Sequence, residues 1–265
     1  MKASLLLPLL SLYSLHVFGA IEGRDVEYKA GDTACQGYVA ADSDSKTARP
    51  AILVVHDWMG LSDHTKAKCQ ELAKLGYVAF AADIYGKGVH PANPGEAGKL
   101  AGKYKGDRKL LRERVNAALE KLKQTPGVEA DKIAAIGYCF GGTTVIELAR
   151  SGAPVAGVVS FHGGLDSPTP ADGRNIKAKV LILHGADDPT MKPADIDAFQ
   201  NEMRTGGVDW EMISYGDAVH AFTQPWVGTD KSKAVAYNEK ADRRSWQAMK
   251  DFFGELFGKP AGAGL

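Results

Sequence analysis

A cysteine lies between glycines in Gly137-Tyr138-Cys139-Phe140-Gly141, where an apolar run, Ile133 to Ile136, gives way to a helical pattern over Thr143 to Arg150. A strand that runs into a helix through this pattern needs a sharp, strained turn. Side chains in place of the glycines would collide with neighbouring backbone. The turn projects Cys139 outward at a helix N-terminus, where the dipole and backbone N–H groups favour a thiolate. Cys139 therefore reads as a nucleophile rather than a packed core thiol. A thiol nucleophile needs a base, and an imidazole suits that task near neutral pH. His220 follows the last strand-like run, within Tyr215-Gly216-Asp217-Ala218-Val219-His220-Ala221-Phe222. A carboxylate that orients the imidazole through Nδ1–H is offered by Asp187 or Asp188, after the strand pattern Val180 to His184. The residues alone leave that choice open, the other aspartate reading as a loop or capping residue before Pro189. A fourth strand end carries His56-Asp57-Trp58-Met59-Gly60. In this architecture that loop supplies one oxyanion-hole N–H and Phe140, after the nucleophile, supplies the other. By mutational precedent each such donor is worth roughly 3 kcal/mol of barrier.

These residues need elements to hold them. Ala51–Val55, Tyr77–Ala81, Ile133–Ile136, Val155–Phe161, Val180–Leu183 and Trp210–Tyr215 have strand patterns, most of them continuous apolar runs. Between them, helical spacing covers His64–Leu75, Leu111–Leu122, Thr143–Arg150, Ile196–Met203 and Lys240–Leu256. Apolar strands separated by amphipathic helices imply a mainly parallel sheet with helices on both faces. Ligands then bind beyond the carboxyl ends of the strands, where all four loaded segments fall. The order nucleophile, acid, histidine is that of the α/β-hydrolases. Val26 to Ala41 reads as an antiparallel hairpin at one edge. The Gly-, Pro- and Lys-rich tract His90 to Gly106 reads as a loop or lid. One domain, 20–258, is expected, with a flexible tail over 259–265.

The 265 residues carry 32 basic and 32 acidic side chains, so no net field favours nucleic acid or anionic membranes. The N-terminus differs. Met1-Lys2 precedes a mostly apolar run, Leu5 to Phe18, which ends in small residues at Gly19-Ala20. This reads as a signal peptide over 1–19, its apolar run too short to span a bilayer comfortably. The mature chain is expected to start near Ala20, to be exported to a periplasm or medium, and to leave the membrane after cleavage. Three cysteines leave at least one free thiol. Cys69 shares a helical face with Leu72 and Ala73 and reads as core; a Cys35–Cys69 bridge is the minor alternative. His162 and His184 end strands and read as structural. The histidines do not form a metal-binding pattern, and no dinucleotide or phosphate glycine motif follows the first strand, so neither metal nor cofactor is expected.

Gly-Tyr-Cys-Phe-Gly-Gly at 137–142, His-Gly-Ala-Asp-Asp-Pro at 184–189 and His-Ala-Phe at 220–222 together resemble the dienelactone hydrolase family. His-Asp-Trp-Met-Gly at 56–60 and Asp83-Ile84-Tyr85 extend the resemblance over nearly the whole mature chain. It implies an α/β-hydrolase fold and cofactor-free hydrolysis of small-molecule esters or lactones. It also implies a triad of Cys139, Asp188 and His220, with Asp188 chosen because the family's acid stands three residues after the glycine matched by Gly185. It assigns the second oxyanion N–H to Trp58, and to Asp57 a thiol-tuning role that a glutamate, one methylene longer, usually fills. The arginine and serine that bind a lactone's carboxylate near the histidine in well-known members are replaced by Ala221 and Gln224. Lys87 is the nearest counterpart of a second arginine. The natural substrate therefore stays open. A monomer is expected. The same triad would also serve acyl transfer or thioester hydrolysis, and a non-catalytic exported binding protein would keep the cleft.

Overall fold

The computed structural model describes residues 20–258. The expected signal peptide and tail lie outside the described residues. An eight-stranded sheet runs β1-β2-β4-β3-β5-β6-β7-β8. The strands are β1 (Ile21–Ala30), β2 (Thr33–Asp42), β3 (Arg49–Val55), β4 (Val78–Ala82), β5 (Val128–Tyr138), β6 (Gly157–Phe161), β7 (Lys179–Gly185) and β8 (Trp210–Tyr215). Six of them, β3 to β8, pair in parallel. The expected hairpin is present: β1 and β2 pair antiparallel, and β2 joins β4 antiparallel. The edge strand β1 is rich in charge, with Glu22, Arg24, Asp25, Glu27 and Lys29, which discourages pairing with another chain.

The helices are α1 (Asp63–Lys74), α2 (Pro94–Gly106), α3 (Arg108–Lys123), α4 (Phe140–Arg150), α5 (Pro193–Gly206) and α6 (Glu239–Phe257). The apolar runs bury both faces of the central strands. On β3, Ala51, Leu53 and Val55 point to one core, while Ile52 and Val54 point to the other, as the two-residue period of a strand requires. The first core is roofed by α2, α3, α4 and α5 through Tyr104, Leu111, Val145 and Phe199. The second is closed by α1 and α6 through Cys69, Leu72, Met249 and Phe253. Cys69 is thus the core residue expected, and Cys35 and Cys69 are unbridged.

The tract His90–Gly106 is corrected by the structure: from residue 94 it is the helix α2. Asn93 caps it by accepting the Glu96 N–H, and Pro94 takes a first-turn position, where its missing donor costs nothing. Ala97, Ala101 and Tyr104 are buried, and Leu100 packs half-buried beside them. Two of the buried three are alanines, and apart from Pro94 the rest of the helix is glycine, lysine and glutamate, so the apolar stripe that marks a helix is faint. The helix α4 begins at Phe140, three residues before the periodic pattern, because its first turn is the nucleophile motif itself.

Candidate active site

Cys139 links β5 to α4 with φ 54° and ψ −112°. A side chain is uncommon in this left-handed region and marks strain. Cys139 N–H donates to the Phe161 carbonyl at 2.9 Å, and the Cys139 carbonyl accepts from Gly142 N–H at 3.0 Å. The glycines are sterically required: a Cβ on Gly137 would strike the Gly141 backbone, and one on Gly141 would strike the carbonyls of Val55 and His56.

The loops after β5, β7 and β8 meet at the carboxyl edge of the sheet. His220 Nε2 lies 3.1 Å from Cys139 Sγ, and His220 Nδ1 lies 2.8 Å from Asp188 Oδ2. An ionised carboxylate only accepts, so Nδ1 is the donor. Thr190 pins the other Asp188 oxygen, through its N–H at 2.8 Å and its hydroxyl at 2.6 Å. Asp187 is exposed and accepts the Asp217 N–H at 2.8 Å, so it shapes the turn before His220 without touching the imidazole. The structure thus brings Asp188, not Asp187, to the histidine.

Burial alone would lower the pKa of His220. The Asp188 and Cys139 hydrogen bonds, and the two negative charges, outweigh it and push the imidazole up to about 10. The neighbouring His162 is fully enclosed, its ring centroid 5.2 Å from that of His220, and its Nε2 is 2.8 Å from Thr223 Oγ1. Burial and the nearby His220 hold it well below the usual histidine range. It is a packing partner of the imidazole, and His184 is buried as expected.

The loop after β3 is held from several sides. His56 Nδ1 lies 2.6 Å from the Asp57 carbonyl, while its Nε2 faces the Ile84 N–H at 3.3 Å. A carbonyl only accepts and an N–H only donates, so the neutral Nδ1–H tautomer satisfies both. Burial lowers the His56 pKa and supports that neutral form. Tyr85 hydroxyl donates to the Trp58 carbonyl at 3.0 Å. Trp58 and Phe140 line one cavity with Cys139 and His220. The Phe140 N–H stands at the first position of α4, where no intrahelical acceptor exists.

Asp57 differs from its expected place. Its carboxylate accepts from Met59 N–H at 2.8 Å and from Gln224 Nε2 at 2.8 Å, whereas the hydrogen bond to the thiol comes from His220. Burial raises the Asp57 pKa, and the donated bonds only partly offset this. Lys87 pairs with Glu27 on the hairpin at 2.5 Å, outside the cavity that holds Cys139. That cavity, of about 250 Å³, also takes in Ala101 and Lys105 from α2, with Thr143, Leu165 and Met191. Sequence reasoning missed Lys105, which reaches the site only because the tract is helical.

A mainly parallel sheet of this strand order, with a nucleophile elbow between β5 and α4 and an acid and a histidine after β7 and β8, defines an α/β-hydrolase. Within that class, the model of the dienelactone hydrolase family matches residues 35–257, and the chain belongs to that family. The chain is 40% identical to a solved dienelactone hydrolase-like promiscuous phosphotriesterase from metagenomic libraries. That match covers 91% of this chain and all of the other, with a TM-score of 0.85. A putative carboxymethylenebutenolidase of Aquifex aeolicus is 28% identical over 87% of this chain and 97% of its own length. A probable 2-oxo-3-(5-oxofuran-2-ylidene)propanoate lactonase of Bradyrhizobium sp. is 30% identical over 65% of this chain and 73% of its own.

Proposed function

We propose that the chain hydrolyses carboxylic esters or lactones by way of a thioester on Cys139. The observation that carries this reading is the continuous hydrogen-bonded line from Cys139 Sγ through His220 to Asp188. His220 takes the Cys139 proton through Nε2 as the sulfur attacks. The sulfur adds to the carbonyl carbon, and the N–H groups of Phe140 and Trp58 receive the oxyanion. Collapse expels the alkoxide, which takes the Nε2 proton of His220. Thioester formation ties up the sulfur and removes two of the influences that raise the His220 pKa. The imidazole is then free to take a proton from water, whose oxygen attacks the thioester. The acid leaves and the sulfur takes its proton back from His220. Asp188 keeps the Nδ1 proton in place throughout.

The test compares purified wild type with Cys139→Ser on p-nitrophenyl esters and lactones. Activity in the wild type that falls at least a hundredfold in the variant is expected. An unchanged rate in the variant would sink the assignment. One comparison favours a second reading: the relative at 40% identity is a promiscuous phosphotriesterase, so an aryl dialkyl phosphate belongs in the same panel. We also propose that the protein acts outside the cytoplasm, a reading supported by the charged start, apolar run and small residues before Ala20.

A further inference from the structure

We propose that Asp57 and Gln224 form a positioning pair that aims the Trp58 N–H at the oxyanion. This rests on the hydrolase reading above. Both side chains are buried, at 7% and 4% exposure. Their 2.8 Å bond joins positions 167 residues apart. It ties the loop after β3, which carries one oxyanion donor, to the loop that carries His220. Gln224 is itself fixed: its N–H donates to the Ala221 carbonyl at 2.9 Å. Ala221 holds a φ of 59°, a strained conformation for a side chain.

The Asp57–Trp58 peptide is planar, so holding its carbonyl sets the direction of its N–H. His56 Nδ1–H binds that carbonyl at 2.6 Å. The Asp57 carboxylate then braces the loop, one oxygen on Met59 N–H and the other on Gln224. His220 has its own support, the Asp188 carboxylate 2.8 Å from Nδ1. Asp57 therefore acts through the Trp58 amide rather than on the thiol.

A polarity swap separates this role from simple structural support and from thiol tuning. Gln224→Glu sets two buried carboxylates against each other. Asp57→Asn in the same chain restores a donor–acceptor pair with its direction reversed. For ester hydrolysis, Gln224→Glu should lower kcat by about tenfold to a hundredfold, toward the cost of losing one oxyanion donor, with KM little changed. The swapped double variant should recover most of it. Alkylation of Cys139 by iodoacetamide, a displacement that forms no oxyanion, should run at the wild-type rate in both. Absence of recovery in a folded double variant, or alkylation that falls in step with kcat, would overturn the proposal. If the swapped chain does not fold, Gln224→Met decides: it removes the bond while filling similar space. An unchanged kcat there overturns the proposal, and the same split of kcat from alkylation supports it. Wild type without Cys139-dependent turnover would overturn the functional reading and this inference together. Turnover indifferent to the variants would overturn this inference alone.

Discussion

Asp188 is a buried carboxylate, and burial alone would raise its pKa. Hydrogen bonds from His220 and Thr190, with the His220 charge, outweigh burial and hold the group below its ordinary value. The sign of the linkage follows. An unfolded aspartate titrates near about 3.9; the folded one titrates lower, so its stabilisation is present above that pH and is lost as pH falls through the folded value. Asp188→Asn should therefore flatten the acid limb of a Tm-against-pH curve, and should lower kcat by up to about 10⁴-fold on the precedent of a buried triad acid. Cys139 and His220 were legible in sequence because each follows a strand and the chemistry needs both. The choice between Asp187 and Asp188 came only through the family resemblance, since adjacent aspartates on one loop differ only in which way the turn sends them. The partner of Asp57 was still further from view, because no local pattern points to Gln224.

At the scale of elements, Arg150 on α4 is the main tether. It lies fully buried between Glu147 at 2.9 Å and Glu202 on α5 at 2.6 Å. It also donates to the carbonyls of Leu165 and Asp166, both at 3.1 Å, where they form a wall of the cavity. From α3, Arg112 reaches Glu147 at 2.8 Å. Removing one member of a buried ionic group leaves the others uncompensated and costs about 3–5 kcal/mol. Arg150→Met should show a loss of that size in denaturant unfolding, and a raised KM as the wall loosens. Replacing Glu147 and Glu202 by glutamine in the same chain should return part of the stability. Element types were largely readable from periodicity, α2 excepted: a stripe of two buried alanines and one tyrosine, with Leu100 half-buried beside it, carries little apolar signal.

For the whole molecule, alternating apolar runs and helical spacing sufficed for a two-sided, mainly parallel sheet. They did not yield the strand order. That β4 lies between β2 and β3 depends on long-range pairing that no local pattern encodes. The expected export also belongs to this scale: N-terminal sequencing of protein recovered from the periplasm or medium should begin near Ala20, and an intact Met1 on that protein would refute cleavage.

The three thiols age differently. Cys35 and Cys69 are sealed from solvent, whereas Cys139 is open to the cavity. An oxidant arriving from solution meets Cys139 first and the two sealed sulfurs last. On the mechanism proposed above, the molecule's useful lifetime then ends before its physical one, leaving spent copies whose buried cores are untouched.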